Sequence, residues 1–111
     1  MITINIANDF STTPGARLKS ESKYSGEEFR DKLLKPKFEY ALKKDEKLLV
    51  NLDGGYGYAT SFLEEAFGGL ARYYKNDKNK INKILHIITF KSDDEPSLIE
   101  DIRDYIKKAS I

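Results

Sequence analysis

The stretch from Leu49 to Leu70 constrains the fold more than any other part of the chain. It reads Leu-Val-Asn-Leu-Asp, then Gly-Gly-Tyr-Gly-Tyr, and then a run that places Leu63, Ala66, Phe67, Leu70, Ala71 and Tyr74 at helical spacing. A short, nearly continuous apolar run is the pattern of a strand buried on both faces. A stripe at i, i+3, i+4, i+7 and i+8 is the pattern of a helix lying on a core. The join is therefore strand, glycine loop, helix. In α/β proteins such loops sit at the carboxyl ends of the strands, where these sheets bind ligands. Gly68 and Gly69 fall inside the helix, at a cost of about 1 kcal/mol each relative to alanine. That cost predicts close approach of a neighbour, either the sheet or a partner.

The flanking segments repeat the alternation. Ile2, Ile4 and Ile6 alternate with Thr3 and Asn5, the period of a strand with one buried face. Asn8 to Tyr24 is irregular and holds the turn cluster Ser11-Thr12-Thr13-Pro14-Gly15; Arg17 to Lys19 reads as a short strand. Ser25-Gly26-Glu27-Glu28 is a capping box that opens a helix. Pro36 either breaks that helix at Lys35 or sits in the first turn of a restart that carries Phe38, Ala41 and Leu42. After a polar loop, Lys75 to Asn82, the run Ile84 to Phe90 reads as a third buried strand. Asp93-Asp94-Glu95-Pro96 then starts a last helix, striped by Leu98, Ile99, Ile102, Tyr105 and Ile106. The order of elements predicts one domain, residues 1–111, with a small, mixed but mostly parallel α/β sheet.

Composition narrows the function. Nineteen basic residues stand against eighteen acidic ones, which argues against a nucleic-acid binder; the basic run Lys75 to Lys83 suits a solvated loop equally well. No segment approaches a membrane span, and Met1 to Asn5 lacks the basic and apolar regions of a secretory signal. With no cysteine, disulfides, thiolate chemistry and a cysteine zinc site are excluded. The expected setting is the cytoplasm. The single histidine, His86, lies in an apolar run and reads as a core or interface residue. No Ser-His-acid set can be assembled around it, and Gly54-Gly55-Tyr56-Gly57 lacks the lysine and spacing of a phosphate-binding loop. The expectation is a binding module, with no catalytic residue, no metal and no cofactor.

Three stretches carry a resemblance to a known family. They are Ser25-Gly26-Glu27-Glu28-Phe29-Arg30, then Asn51-Leu52-Asp53-Gly54 with Gly57-Tyr58, then Thr60-Ser61-Phe62-Leu63-Glu64-Glu65-Ala66-Phe67-Gly68-Gly69-Leu70. Together they resemble STAS-like domains, relatives of bacterial anti-sigma factor antagonists and of sulfate-transporter cytoplasmic domains. The resemblance implies a regulatory protein-binding module, partnered with a histidine-kinase-like ATPase. In the antagonists an Asp-Ser-Ser-Gly motif opens this helix, and its first serine is phosphorylated. Here Ala59 stands for the aspartate, Thr60 and Ser61 for the serines, and Phe62 for the glycine. Thr60 and Ser61 are thus the phosphorylation candidates. Asp53, Gly54, Tyr56, Gly57, Tyr58 and Phe62 are the partner-contact candidates, and Arg17 and Ser25 the candidates for meeting an anion. Each has a plainer reading: Ser61 with Glu64 also spells a capping box, and Asp53 also ends a strand. Two other functions stand beside the binding module, the first drawn from the residues at the strand ends and the second from the loop aromatics and mid-helix glycines. One is a phosphorylation receiver with Asp53 as acceptor and Asp9, Thr89 and Lys91 at neighbouring strand ends. The other is a self-associating module, a homodimer.

Overall fold

A computed structural model describes all 111 residues. The elements in order are β1 (Ile2–Asn5), α1 (Ile6–Asp9), α2 (Gly26–Phe29), a π-turn (Arg30–Leu34), α3 (Lys35–Lys44), β2 (Leu48–Asn51), α4 (Thr60–Leu63), a second π-turn (Glu64–Gly68), α5 (Gly69–Tyr73), α6 (Lys78–Ile87), β3 (Ile88–Lys91) and α7 (Ser97–Ala109). The three strands are parallel and lie in sequence order. No helix is long and apolar enough to cross a membrane.

The strand register sets the two faces of the sheet. Ile2, Leu48 and Ile88 are in line, as are Ile4, Val50 and Phe90, and these rows join the apolar core. The opposite face carries Thr3, Leu49 and Thr89, then Asn5, Asn51 and Lys91. None of these six is fully buried. The expectation that β2 is buried on both faces is therefore corrected: Leu48 and Val50 are buried, and Leu49 between them is only half-buried. The helices cover one side, giving a two-layer domain.

Both long helical rods widen into a π-turn. In residues 26–44 the cause is Pro36, which lacks an amide and whose ring crowds the carbonyl four residues back. The chain widens just before it, with the Lys35 amide donating to the Arg30 carbonyl. Pro36 sits in the first turn of α3, as one of the two sequence readings had it, but without a break. In residues 60–73 the buried positions explain the π-turn. Phe62, Ala66, Leu70 and Tyr74 are all buried, as are Leu63, Phe67 and Ala71. That spacing is four residues, not 3.6, so an ideal α-helix would carry the stripe off the core. A wider turn keeps it there.

Two segments differ from their sequence reading. Ile84 to Phe90 is not one strand, since residues to Ile87 belong to α6 and only Ile88 onward is extended. Short apolar runs suit either state. Here Asp77 decides, its Oδ1 accepting from the Lys80 amide at 3.1 Å and starting a helix inside the supposed loop. Ile81, Ile84 and Ile87 then share the buried face, and His86 is exposed rather than in the core. Arg17 to Lys19 forms no strand. The irregular segment is tied down instead by backbone bonds from Gly15 to Tyr24 and from Gly26 to Ala16, and by Phe10, whose ring meets Tyr24, Phe29 and Phe62.

Candidate functional site

The carboxyl ends of β2 and β3 hold the candidate site, and Asp53 is its knot. Asn51 Oδ1 first accepts from the Asp53 amide at 2.9 Å, bending the chain out of the strand. Asp53 Oδ1 then accepts from the Asp94 amide at 2.9 Å, and Oδ2 from the Asp93 amide at 3.0 Å and from Lys91 Nζ at 2.8 Å. The Asp94 and Asp93 amides and the Lys91 ammonium together hold its carboxyl down at about 2. Lys91, shared with Asp93 at 2.8 Å, is pushed up in turn. Gly54 donates back to Asp94 Oδ2 at 3.1 Å, so the two strand-end loops are stitched in both directions.

The glycines let the loop after β2 close on the loop after β1. Gly54 and Gly57 have φ of +94° and +121°, values that favour glycine. Between them the Tyr56 amide donates to the Thr12 carbonyl at 2.9 Å. Tyr58 turns inward, its hydroxyl donating to the Leu52 carbonyl at 2.8 Å and its ring stacking on Phe62. Burial, with the Asp53 and Asp94 charges, pushes its phenol up to about 12. Tyr56 turns outward and is 87% exposed. A cleft of about 190 Å³ opens between these loops, lined by Leu52, Gly55, Tyr56, Gly57, Tyr58, Ser92, Asp94, Glu95 and Leu98. Its floor is Leu52, Leu98 and Ser92, all buried. Asp94 and Glu95 stand exposed at its rim.

The structure sorts the sequence candidates. Gly54, Tyr56 and Gly57 face solvent, and Tyr58 is half-buried. Asp53 is at the site, but its side chain is 14% exposed and both its oxygens are engaged. Phe62 is fully buried among aromatic rings and cannot touch a partner. Thr60 is exposed and Ser61 half-buried. The Ser61–Glu64 capping box does not form: Ala59 is the N-cap, without a side-chain acceptor, and Glu64 binds Arg72 and Arg17 instead. Ser25 is fully buried, its hydroxyl accepting from the Glu28 amide at 3.1 Å, so it caps α2 and meets no external anion. Asp9 accepts from the Asn5 amide at 2.8 Å and closes its own turn.

Arg17 belongs to a separate belt of charge between the two rods. Arg17 pairs with Glu64 and Glu65, Arg72 with Glu64 at 2.6 Å, and Arg30 with Glu65. Arg72, with Arg17 beside it, holds the Glu64 carboxyl below its ordinary value. Arg30 also donates to the Glu65 carbonyl at 3.1 Å, at the π-turn. The mid-helix glycines are explained here. A Cβ on Gly68 would lie 2.5 Å from Glu64 Oε2, and one on Gly69 would collide with the Arg30 guanidinium. The close neighbour is thus this belt and not the sheet. Sequence reading missed Ser92, Asp94 and Glu95 as site residues because they look like an ordinary helix start. The available signal was their place directly after a strand.

A family model matches residues 25–95, from the cap of α2 through the loops that frame the cleft; it is described as a STAS-like domain of unknown function (DUF4325). No curated protein and no solved structure matches the chain. The match spans most of the chain, two of its three strands and the whole Asp53 knot, and by it this protein belongs to the STAS-like domain family.

Proposed function

We propose that the chain is a cytoplasmic regulatory module without catalytic activity, which binds a protein partner through the loop of residues 54–58 and the adjoining cleft. One observation carries this reading. Tyr56, a large aromatic side chain, is 87% exposed on a loop held by hydrogen bonds to both neighbouring loops. Rigidly presented tyrosines anchor interfaces because they contribute large contact area at little cost in side-chain entropy. Against Asp53 as a phosphoryl acceptor stand its hydrogen-bonded oxygens and a sheet of three strands in sequence order. The test is a photo-crosslinking amino acid at position 56, with position 40 as control. Tyr40 is also exposed, but on α3. A protein adduct at 56 and not at 40 is expected; equal adducts at both, or none at 56, would overturn it.

Regulation by phosphorylation at Thr60 or Ser61, with a histidine-kinase-like ATPase as partner, is a second reading. It is supported by the family resemblance and by the exposure of Thr60 next to the binding loop. Thr60→Glu/Ser61→Glu is expected to release whatever wild type captures through Tyr56. Equal capture by both would leave the module and remove the switch. A homodimer would show as doubled mass by sedimentation without any partner.

A further inference from the structure

The cleft between the two strand-end loops has a size, a floor and a charge that together specify an occupant. At about 190 Å³ it is smaller than the several hundred cubic ångströms of a small-molecule site, and suits a single side chain. Its floor and one wall are apolar, made by Leu52, Leu98, Tyr58 and Tyr56. Its rim is anionic. Of the four carboxylates around it, Asp53 and Asp93 share the single ammonium of Lys91, while Asp94 and Glu95 have no cationic partner. The exposed Tyr56 ring adds a face that attracts cations.

Resting on the protein-binding reading above, we infer that the cleft takes one basic side chain, arginine or lysine, from the partner. The aliphatic stem lies on Leu52 and Leu98 beside the Tyr56 ring, and the charged head meets Asp94 and Glu95. An acidic or neutral side chain gains neither the ring nor the carboxylates. Selectivity for charge follows from the excess of acid over base in the rim, and it weakens as salt screens the exposed carboxylates.

The test uses the full chain, isotopically labelled, titrated with the capped pentapeptide acetyl-Gly-Gly-Arg-Gly-Gly-amide and with its Lys, Gln and Glu counterparts. Amide shifts are expected at Gly55, Gly57, Ser92 and Leu98 with the arginine and lysine peptides, and none with the other two. The expected dependence on salt is a several-fold weaker response between 50 and 500 mM, roughly as Debye screening dictates. Asp94→Asn/Glu95→Gln keeps the shapes, including an acceptor for the Gly54 amide, and is expected to abolish the response while leaving the remaining spectrum in place. Equal shifts with the glutamine peptide, shifts elsewhere on the surface, or no shift with any peptide would overturn the inference. So would charge-dependent doubling of mass without peptide, which would make a second copy the occupant. If the peptides fail while the crosslink through position 56 persists, the basic anchor falls and the binding module stands.

Discussion

The charged belt between the rods and the acidic rim of the cleft are built from similar side chains and arranged oppositely. In the belt, Arg17, Arg30 and Arg72 surround Glu64 and Glu65, and every group has a partner. The Arg30–Glu65 pair is only 15% exposed on either side. At the rim, acids outnumber bases and the outermost carboxylates face water. Charge whose every member is paired ties one rod to the other. Unbalanced, exposed charge leaves interaction capacity for something outside the molecule. The contrast separates what holds the fold from what it offers.

Variants can break or sharpen that contrast, and those on the belt side are expected to matter most. Gly26→Ala places a Cβ 2.5 Å from the Phe62 carbonyl and 2.9 Å from Glu65 Cβ. Backbone cannot yield cheaply, so a loss of about 3 kcal/mol in urea unfolding is expected. A loss within 0.5 kcal/mol, roughly the scale of a neutral surface change, would mean the rods are not in such contact. Glu65→Gln leaves Arg30 with Asp31 as its remaining carboxylate and is expected to cost about 2 kcal/mol by the same measurement.

Ala59→Asp supplies the missing cap of the rod over residues 60–73 and is expected to raise stability by about 1 kcal/mol. The Asp53 knot is lost only in acid. Its carboxyl, ordinarily at 3.8, is depressed to about 2 in the fold. Its stabilising contribution is thus present above pH 4, roughly its unfolded value, and is lost as pH falls through the folded value. Melting temperature against pH should therefore fall less steeply below pH 4 in Asp53→Asn than in wild type; parallel curves would refute the knot. Tyr56→Ala touches nothing structural and should change stability by less than about 0.5 kcal/mol, while abolishing partner capture.

Much of this was legible in the sequence. Alternation gave β1, the apolar run gave β2, and the Ser25 cap was correctly placed. The misreadings have physical reasons. Ile84 to Phe90 is apolar enough for either state, and the deciding residue, Asp77, lies seven positions earlier. The resemblance places Phe62 at the glycine of the antagonists' motif and so among the contact residues; the four-residue spacing of Phe62, Ala66, Leu70 and Tyr74 is the signal that it is core. The five-residue gap between the buried Phe29 and Leu34 marks the other π-turn in the same way. Ion pairs such as Arg17 with Glu64 join residues 47 positions apart, and nothing local announces them. The cleft was approached from its glycine loop but not from its acidic side, since Asp94 and Glu95 acquire their role only when β3 is placed beside β2.

The π-turn at Glu64–Gly68 also fixes the length of its helix. Each residue of an α-helix advances the side chains by about 100°. Deleting one residue within that turn would let the backbone relax to ordinary α-geometry, with every amide still bonded. Seven steps of about 100° come within about 20° of two full turns, so Leu70, Ala71 and Tyr74 would keep their face relative to Phe62 and Leu63. Insertions and deletions are usually tolerated in loops and rejected in helices because each one turns everything beyond it off its buried face. Here the hydrogen bonds and the core stripe would both survive, and what is lost is the one extra residue that the wide turn accommodates.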